Sequence, residues 1–126
     1  MARFDRQADA EGPVVQGFTG GGFSVDGNVY RALLLTPQRA DEWDAPASAS
    51  ALQVSHFEAM LAADRPFEFL LLGTGPKLVF PPHGLRAALE ARGVGIEVMD
   101  SRAAARTWRL LRSEERWIAA ALMPLA

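Results

Sequence analysis

The stretch Phe67-Glu-Phe-Leu-Leu-Leu-Gly-Thr-Gly75 decides the fold class. Its apolar run is nearly unbroken, where a half-buried strand would alternate apolar with polar. Such a run suits a central strand covered on both faces, as in sheets flanked by helices. Downstream, His83 to Ala91 carries Leu85, Ala88 and Leu89 at helical spacing, and Gly93 is placed to cap it. Val94 to Met99 reads as the next strand. Asp100 or Ser101 then caps a helix running to about Arg112, and Trp117 to Leu122 forms a last strand. Lys77 to Pro82, between the first strand and the first of these helices, reads as extended. The second half therefore alternates β-α-β-α-β, which favours right-handed crossovers in a largely parallel sheet. Neither the strand order nor the direction of the last strand follows from the pattern.

Upstream, Phe23-Ser-Val25, Asp26-Gly27 and Asn28 to Leu35 read as a hairpin. Asp-Gly supplies the positive φ that a two-residue turn needs. Pro13 to Phe18 is a short strand ended by Gly20-Gly-Gly22, and Thr36-Pro37 closes the hairpin's second strand. Residues 38–48 form a loop with Trp43 and Pro46. A helix is expected from Ser50 to Ala62, with Val54, Phe57, Met60 and Leu61 inward and Asp64-Arg65-Pro66 as its stop. The fold expected is a three-layer α/β single domain: an N-terminal β-meander, then β-α-β-α-β around a central mixed sheet. Residues 1–12 are expected to be a flexible tail and 13–126 the domain.

The chain has 126 residues, of which 49% are hydrophobic and 22% charged, enough apolar material for one buried core. Its 13 basic and 15 acidic side chains leave a net charge of −2, which excludes a strongly basic nucleic-acid binder. It has no cysteine, so thiolate catalysis, disulfides and Cys-ligated metals are excluded. The polar start carries no apolar segment of a secretory signal. The longest apolar stretch, Trp117 to Ala126, is half the roughly 20 residues a membrane span requires. A cytoplasmic protein without membrane insertion is the expectation.

Three constellations could carry function. The first is Gly73-Thr74-Gly75 at the end of a buried strand, where α/β sheets place ligands. It is neither a phosphate loop nor a dinucleotide fingerprint, because the Gly-Lys-Ser/Thr ending and a third glycine are missing and Pro76 follows. It reads either as a tight turn or as one wall of a ligand site. The second is the helix after Met99. At ~100° per residue, Arg102, Arg106 and Arg109 share one side, and Ala104, Thr107, Trp108 and Leu111 the other. Together with Asp100 and Ser101 at the helix start, this stripe could clamp an anion. It could equally face water or a partner protein, and the negative Asp100 and Glu97 oppose an anion. The third is aromatic: Trp108 suits the core, whereas Trp43 suits core and interface equally.

Two separated histidines, His56 and His83, make no metal site. No Gly-x-Ser-x-Gly elbow occurs. Asp26, Asp100 and Glu97 suit a turn, a cap and a strand edge better than acid–base chemistry. Glu114, Glu115 and Arg116 are expected to pair at the surface. No catalytic residue, metal ligand or cofactor is assigned.

Val25-Asp-Gly27, Tyr30, Leu33-Leu-Leu35, Pro37, Trp43, Leu70 to Gly75, Phe80-Pro81, Gly95 to Asp100, Ala103-Ala104, Arg106-Thr107, Glu114, Arg116 and Ala119 to Leu122 stand in an order that resembles the Mth-type α/β domain family. The resemblance spans about residues 13–124. That family includes a mitochondrial complex I assembly factor and an adipogenesis-associated cytosolic protein. Two departures stand out. Trp108-Arg109 replaces an aromatic followed by Asn, and Glu114-Glu-Arg116 replaces Glu-Gly-Arg, which removes a turn glycine. The resemblance implies a three-layer domain with a mixed sheet and no established activity. Its mitochondrial members look like assembly partners acting through protein contacts.

The leading expectation is therefore a non-catalytic protein-binding or assembly-assisting module with an unidentified protein partner. The alternative is a small-anion or metabolite binder, or an enzyme of a kind not recognised. Its site would be Gly73, Thr74, Gly75, Asp100, Ser101, Arg102, Arg106 and Thr107, with Arg109 on the same surface. Homodimerisation through a sheet edge or helix face stays open, and nucleic acid is not an expected partner.

Overall fold

In the computed structural model, which describes residues 12–126, two sheets and three α-helices build the expected layers. Residues 1–11 of the expected tail lie outside the described residues. β1 (Gly17–Thr19), β2 (Gly22–Val25) and β3 (Asn28–Tyr30) form a small antiparallel sheet. The expected hairpin joins β2 to β3, with Asp26 at φ 50° and Gly27 at φ 84° in its turn. The Pro13–Phe18 strand is shifted toward the C-terminus, beginning only at Gly17.

The main sheet has five strands in the order β5 (Ala40–Glu42), β4 (Leu33–Leu35), β8 (Ala119–Leu122), β6 (Phe69–Gly73) and β7 (Gly95–Met99). β6 pairs in parallel with both β7 and β8, whereas β4 is antiparallel to both β8 and β5. β8 is thus parallel to one neighbour and antiparallel to the other, at the middle of the sheet.

The expected single strand from Asn28 to Leu35 is divided between the two sheets. Glu42 explains the break: its carboxylate accepts the backbone N–H groups of Arg31 (3.2 Å) and Ala32 (3.0 Å), so these cannot continue a ladder. The expected helix from Ser50 to Ala62 is also replaced. Two 3-10 turns, Ala49–Ala51 and Val54–Phe57, precede a single α-turn, α1 (Glu58–Leu61). The indole of Trp43 donates to the His56 carbonyl (2.8 Å), and the Gln53 N–H donates to His56 Nδ1 (2.9 Å). Both contacts compete with regular helical bonding.

Alternation along the central strands sends side chains to opposite faces. Leu34, Leu70, Leu72, Ile96, Ala119 and Ala121 pack with Trp43, Phe57 and α2 (His83–Glu90). Leu33, Leu35, Leu71, Ala120 and Leu122 pack with the small sheet and with α3 (Ser101–Ser113). Trp43 joins the core, buried against Phe57 with ring centroids 5.6 Å apart. Trp108 is fully buried, and its indole N–H donates to the Pro13 carbonyl at 2.8 Å.

The surface pairing expected around Glu114, Glu115 and Arg116 takes another form. Arg116 pairs with Glu68 of the β6 approach at 2.8 Å. The Arg116 hydrogen bond, aided by the Trp117 N–H, holds the Glu68 carboxyl below its usual range. Glu115 sits at φ 61°, so the turn from which glycine is absent is kept in a left-handed conformation that an L side chain tolerates poorly.

Candidate functional site

β6, β7 and β8 run in the same direction, so the segments leaving their carboxyl ends meet: Thr74-Gly75, Asp100-Ser101 and Met123-Pro124. The chain leaves β6 for β7 on one side and returns to β8 on the other. Strand order therefore reverses between β6 and β8. Ligand crevices of open α/β sheets form outside the strand ends at such a reversal.

Most of the polar atoms expected to serve a ligand here are used within the protein. The Ser101 hydroxyl is fully buried; it donates to the Met123 carbonyl (2.8 Å) and accepts the Gly75 N–H (2.8 Å). The Ser101 N–H donates to the Gly75 carbonyl (2.8 Å), and the Met123 N–H to the Gly73 carbonyl (2.9 Å). Thr74 Oγ1 donates to the Lys77 carbonyl (2.7 Å) and accepts the Val79 N–H (2.9 Å). Asp100 caps α3 by accepting the Ala103 N–H at 2.9 Å. Ser101 and Thr74 thereby tie three strand ends into one unit. Gly73 is required by this contact, because a Cβ there would stand 2.7 Å from Ser101 Cα.

The structure brings Gly73, Thr74, Gly75, Asp100 and Ser101 together and turns the arginines elsewhere. Arg102, Arg106 and Arg109 are exposed along the outer face of α3, and Thr107 is half-buried on the same helix. The Arg102 guanidinium lies 5.7 Å from the centre of the Phe18 ring. Among the described residues the ion pairs are Arg39–Asp41, Arg92–Glu58 and Arg116–Glu68, so none of these three arginines is in one. Leu110 is exposed beside them.

Beside the strand ends lies a cleft of about 480 Å³, of which Thr74 forms one wall. Arg31, Pro46, Ser48, Pro76 and Met123 are among its other lining residues. Among the described lining residues Arg31 supplies the one ionisable side chain. Sequence reading singled out Thr74 but not the rest of this lining, which comes from separate segments with no local motif. Among the described residues no cluster of His, Asp and Glu could hold a metal ion, and no helix is long and apolar enough to cross a membrane.

Comparison with known proteins adds a second line of observation. A family profile described as "Protein of unknown function (DUF498/DUF598)" matches residues 15–123. An uncharacterized protein of Rhodobacter capsulatus is 35% identical over 112 residues, covering 88% of this chain and 84% of that protein. A zebrafish (Danio rerio) protein named NADH dehydrogenase (ubiquinone) 1 alpha subcomplex assembly factor 3 is 31% identical over 114 residues. That match covers 90% of this chain but 65% of the fish protein, so the chain spans about two thirds of that relative's length. The solution structure of a Bordetella pertussis protein, described as a Mth938-like domain, superposes with a TM-score of 0.77 at 23% identity. It covers 100% of this chain and 92% of that one, and establishes the shared fold.

Proposed function

The chain belongs to the DUF498/DUF598 family of Mth938-like domains, and from that membership we propose that it is a protein-binding, assembly-assisting module rather than a catalyst. Kinship with a protein named as an assembly factor supports an assembly-related role for the family. The observation that carries the reading is the outer face of α3. Arg102, Arg106 and Arg109 stand there without an acidic partner among the described residues, beside exposed Leu110. A stripe of uncompensated guanidinium groups next to an apolar side chain suits an acidic protein surface, because arginine is enriched in interfaces and pairs with carboxylates in fork geometry. Partner capture should therefore weaken at raised salt.

Charge reversal tests it. With Arg102, Arg106 and Arg109 all changed to Glu, quantitative cross-linking and mass spectrometry in cell extract should show at least one wild-type partner depleted tenfold or more. Circular dichroism should remain unchanged, since all three side chains are exposed. Recovery of the same partners at the same levels would exclude this face.

A second reading, binding of a small anionic metabolite, is supported by the cleft at the strand-order reversal. Its volume falls within the roughly 300–1,000 Å³ of ligand pockets, and Arg31 is the group that would meet the anion. On this reading the site centres on Arg31, with Thr74 as part of the wall, rather than on the α3 arginines. A ligand held at 100 times its dissociation constant adds about 2.7 kcal/mol of stability. A library of anionic metabolites should then yield a thermal upshift that Arg31→Ala removes; no upshift across the library counts against this reading.

A further inference from the structure

β7 is an edge strand of the main sheet, and exposed Phe80 stands beside it, lining a groove with Ile96 and Val98. Leu78, Val79 and Phe80 are consecutive and exposed, Phe80 to 77%. Next to them a groove of about 530 Å³ runs between Phe80, Pro81, the first turn of α2 with Arg86, and Ile96 and Val98 of β7. Exposed apolar side chains grouped in this way mark an interaction surface more often than scattered ones do.

The backbone of β7 specifies what would fit. Along a strand, successive residues turn their N–H and C=O groups to alternate sides. The Met99 carbonyl accepts from the Thr74 N–H on the β6 side, so the groups of Ile96 and Val98 face the open edge. Arg86 Nη1 donates to the Ile96 carbonyl at 2.8 Å. Among the described residues the other outward groups of Ile96 and Val98 have no partner. Arg86 and the loop at residues 80–82 cover only part of this edge, and no Lys or Pro stands within β7 itself. Water can satisfy such exposed groups singly, whereas another extended backbone pairs with them as a row.

Charge at the centre of the strand discriminates between occupants. Glu97 is the exposed middle residue of β7. Full-register antiparallel pairing with a second copy would set Glu97 opposite Glu97, and like charges directly opposite destabilise a pair. We infer that the β7 edge docks an extended segment of another protein. Its alternate residues are apolar and enter the groove beside Phe80, and a lysine or arginine stands opposite Glu97. This inference rests on the protein-binding reading but uses a different surface from the α3 face.

A phage-displayed random nonapeptide library, selected on the immobilised full chain, tests it. The expected winners alternate apolar and polar residues, with Lys or Arg at the central polar position. A synthetic copy of the leading sequence should slow hydrogen exchange at the Ile96 and Val98 amides at least tenfold. Phe80→Asp should weaken its binding at least tenfold, and Glu97→Lys should shift selection toward acidic peptides. Both side chains are exposed, so either variant stands if the other misfolds. The α3 triple reversal should leave peptide affinity within twofold, which separates failure here from failure of the α3 face. The inference is overturned by a library with no enrichment. It is equally overturned by winners that bind both variants as tightly as wild type, or by sedimentation showing a dimer that Phe80→Asp dissolves.

Discussion

Trp108→Ala is expected to lose about 3–5 kcal/mol of unfolding free energy, the range for truncating a large buried aromatic. The indole is completely enclosed between α3, the small sheet and the main sheet. Truncation opens a void and also strips the Pro13 carbonyl of its donor. Small domains hold about 5–15 kcal/mol in total, so the variant should sit near its unfolding threshold. Urea denaturation at neutral pH measures this. Trp108→Phe separates the two contributions, because the ring is largely kept while the N–H is lost; an unpaired buried acceptor costs about 1–3 kcal/mol. A Trp108→Ala midpoint equal to wild type would mean that α3 is not packed as described.

Gly73→Ala is the second large effect, although it adds only one methyl group. The new Cβ would meet Ser101 Cα at 2.7 Å, Ser101 Oγ at 2.8 Å and a Leu122 methyl at 3.0 Å. The first of these is backbone at the start of α3 and cannot rotate away. Overpacking typically costs about 1–3 kcal/mol. Relief here requires α3 to lift from the sheet, which would also stretch the hydrogen bonds that Ser101 makes to Gly75 and Met123, so the upper end of that range is expected. Gly84→Ala provides the contrast. Gly84 lies in α2 with nothing within 4 Å of an added Cβ, and helix propensity favours alanine by up to about 1 kcal/mol. The two variants should therefore move the melting temperature in opposite directions.

Much of the architecture was legible in the chain because it depends on local periodicity and turn chemistry. The unbroken run at Leu70-Leu-Leu72 marked a strand covered on both faces, Asp26-Gly27 marked the hairpin, and Asp100 marked the start of α3. What escaped reading depends on contacts distant in sequence. Glu42 divides the strand at Arg31-Ala32 from ten residues away, and Trp43 diverts the His56 carbonyl from helical bonding. Both are side-chain-to-backbone bonds that no periodic pattern announces. The candidate site divides in the same way. Gly73, Thr74, Gly75, Asp100 and Ser101 do converge, but their polar atoms satisfy one another, and composition alone does not reveal which hydroxyl is already engaged. Conversely, the exposure of Leu78-Val79-Phe80 could not be foreseen, because an apolar triplet reads as core until its surroundings are known.

The position of β8 bears on biosynthesis. This strand separates β4 from β6, yet all the other strands precede it in the chain. During translation, β4-β5 and β6-β7 can each pair, but they cannot join into one sheet until residues 119–122 leave the ribosome. Until then the nascent polypeptide exposes the apolar flanks of both halves, and such flanks are prone to aggregate. Chaperone demand should therefore persist until β8 emerges, and a premature stop before Ala119 should release two half-sheets with no strand to bridge them.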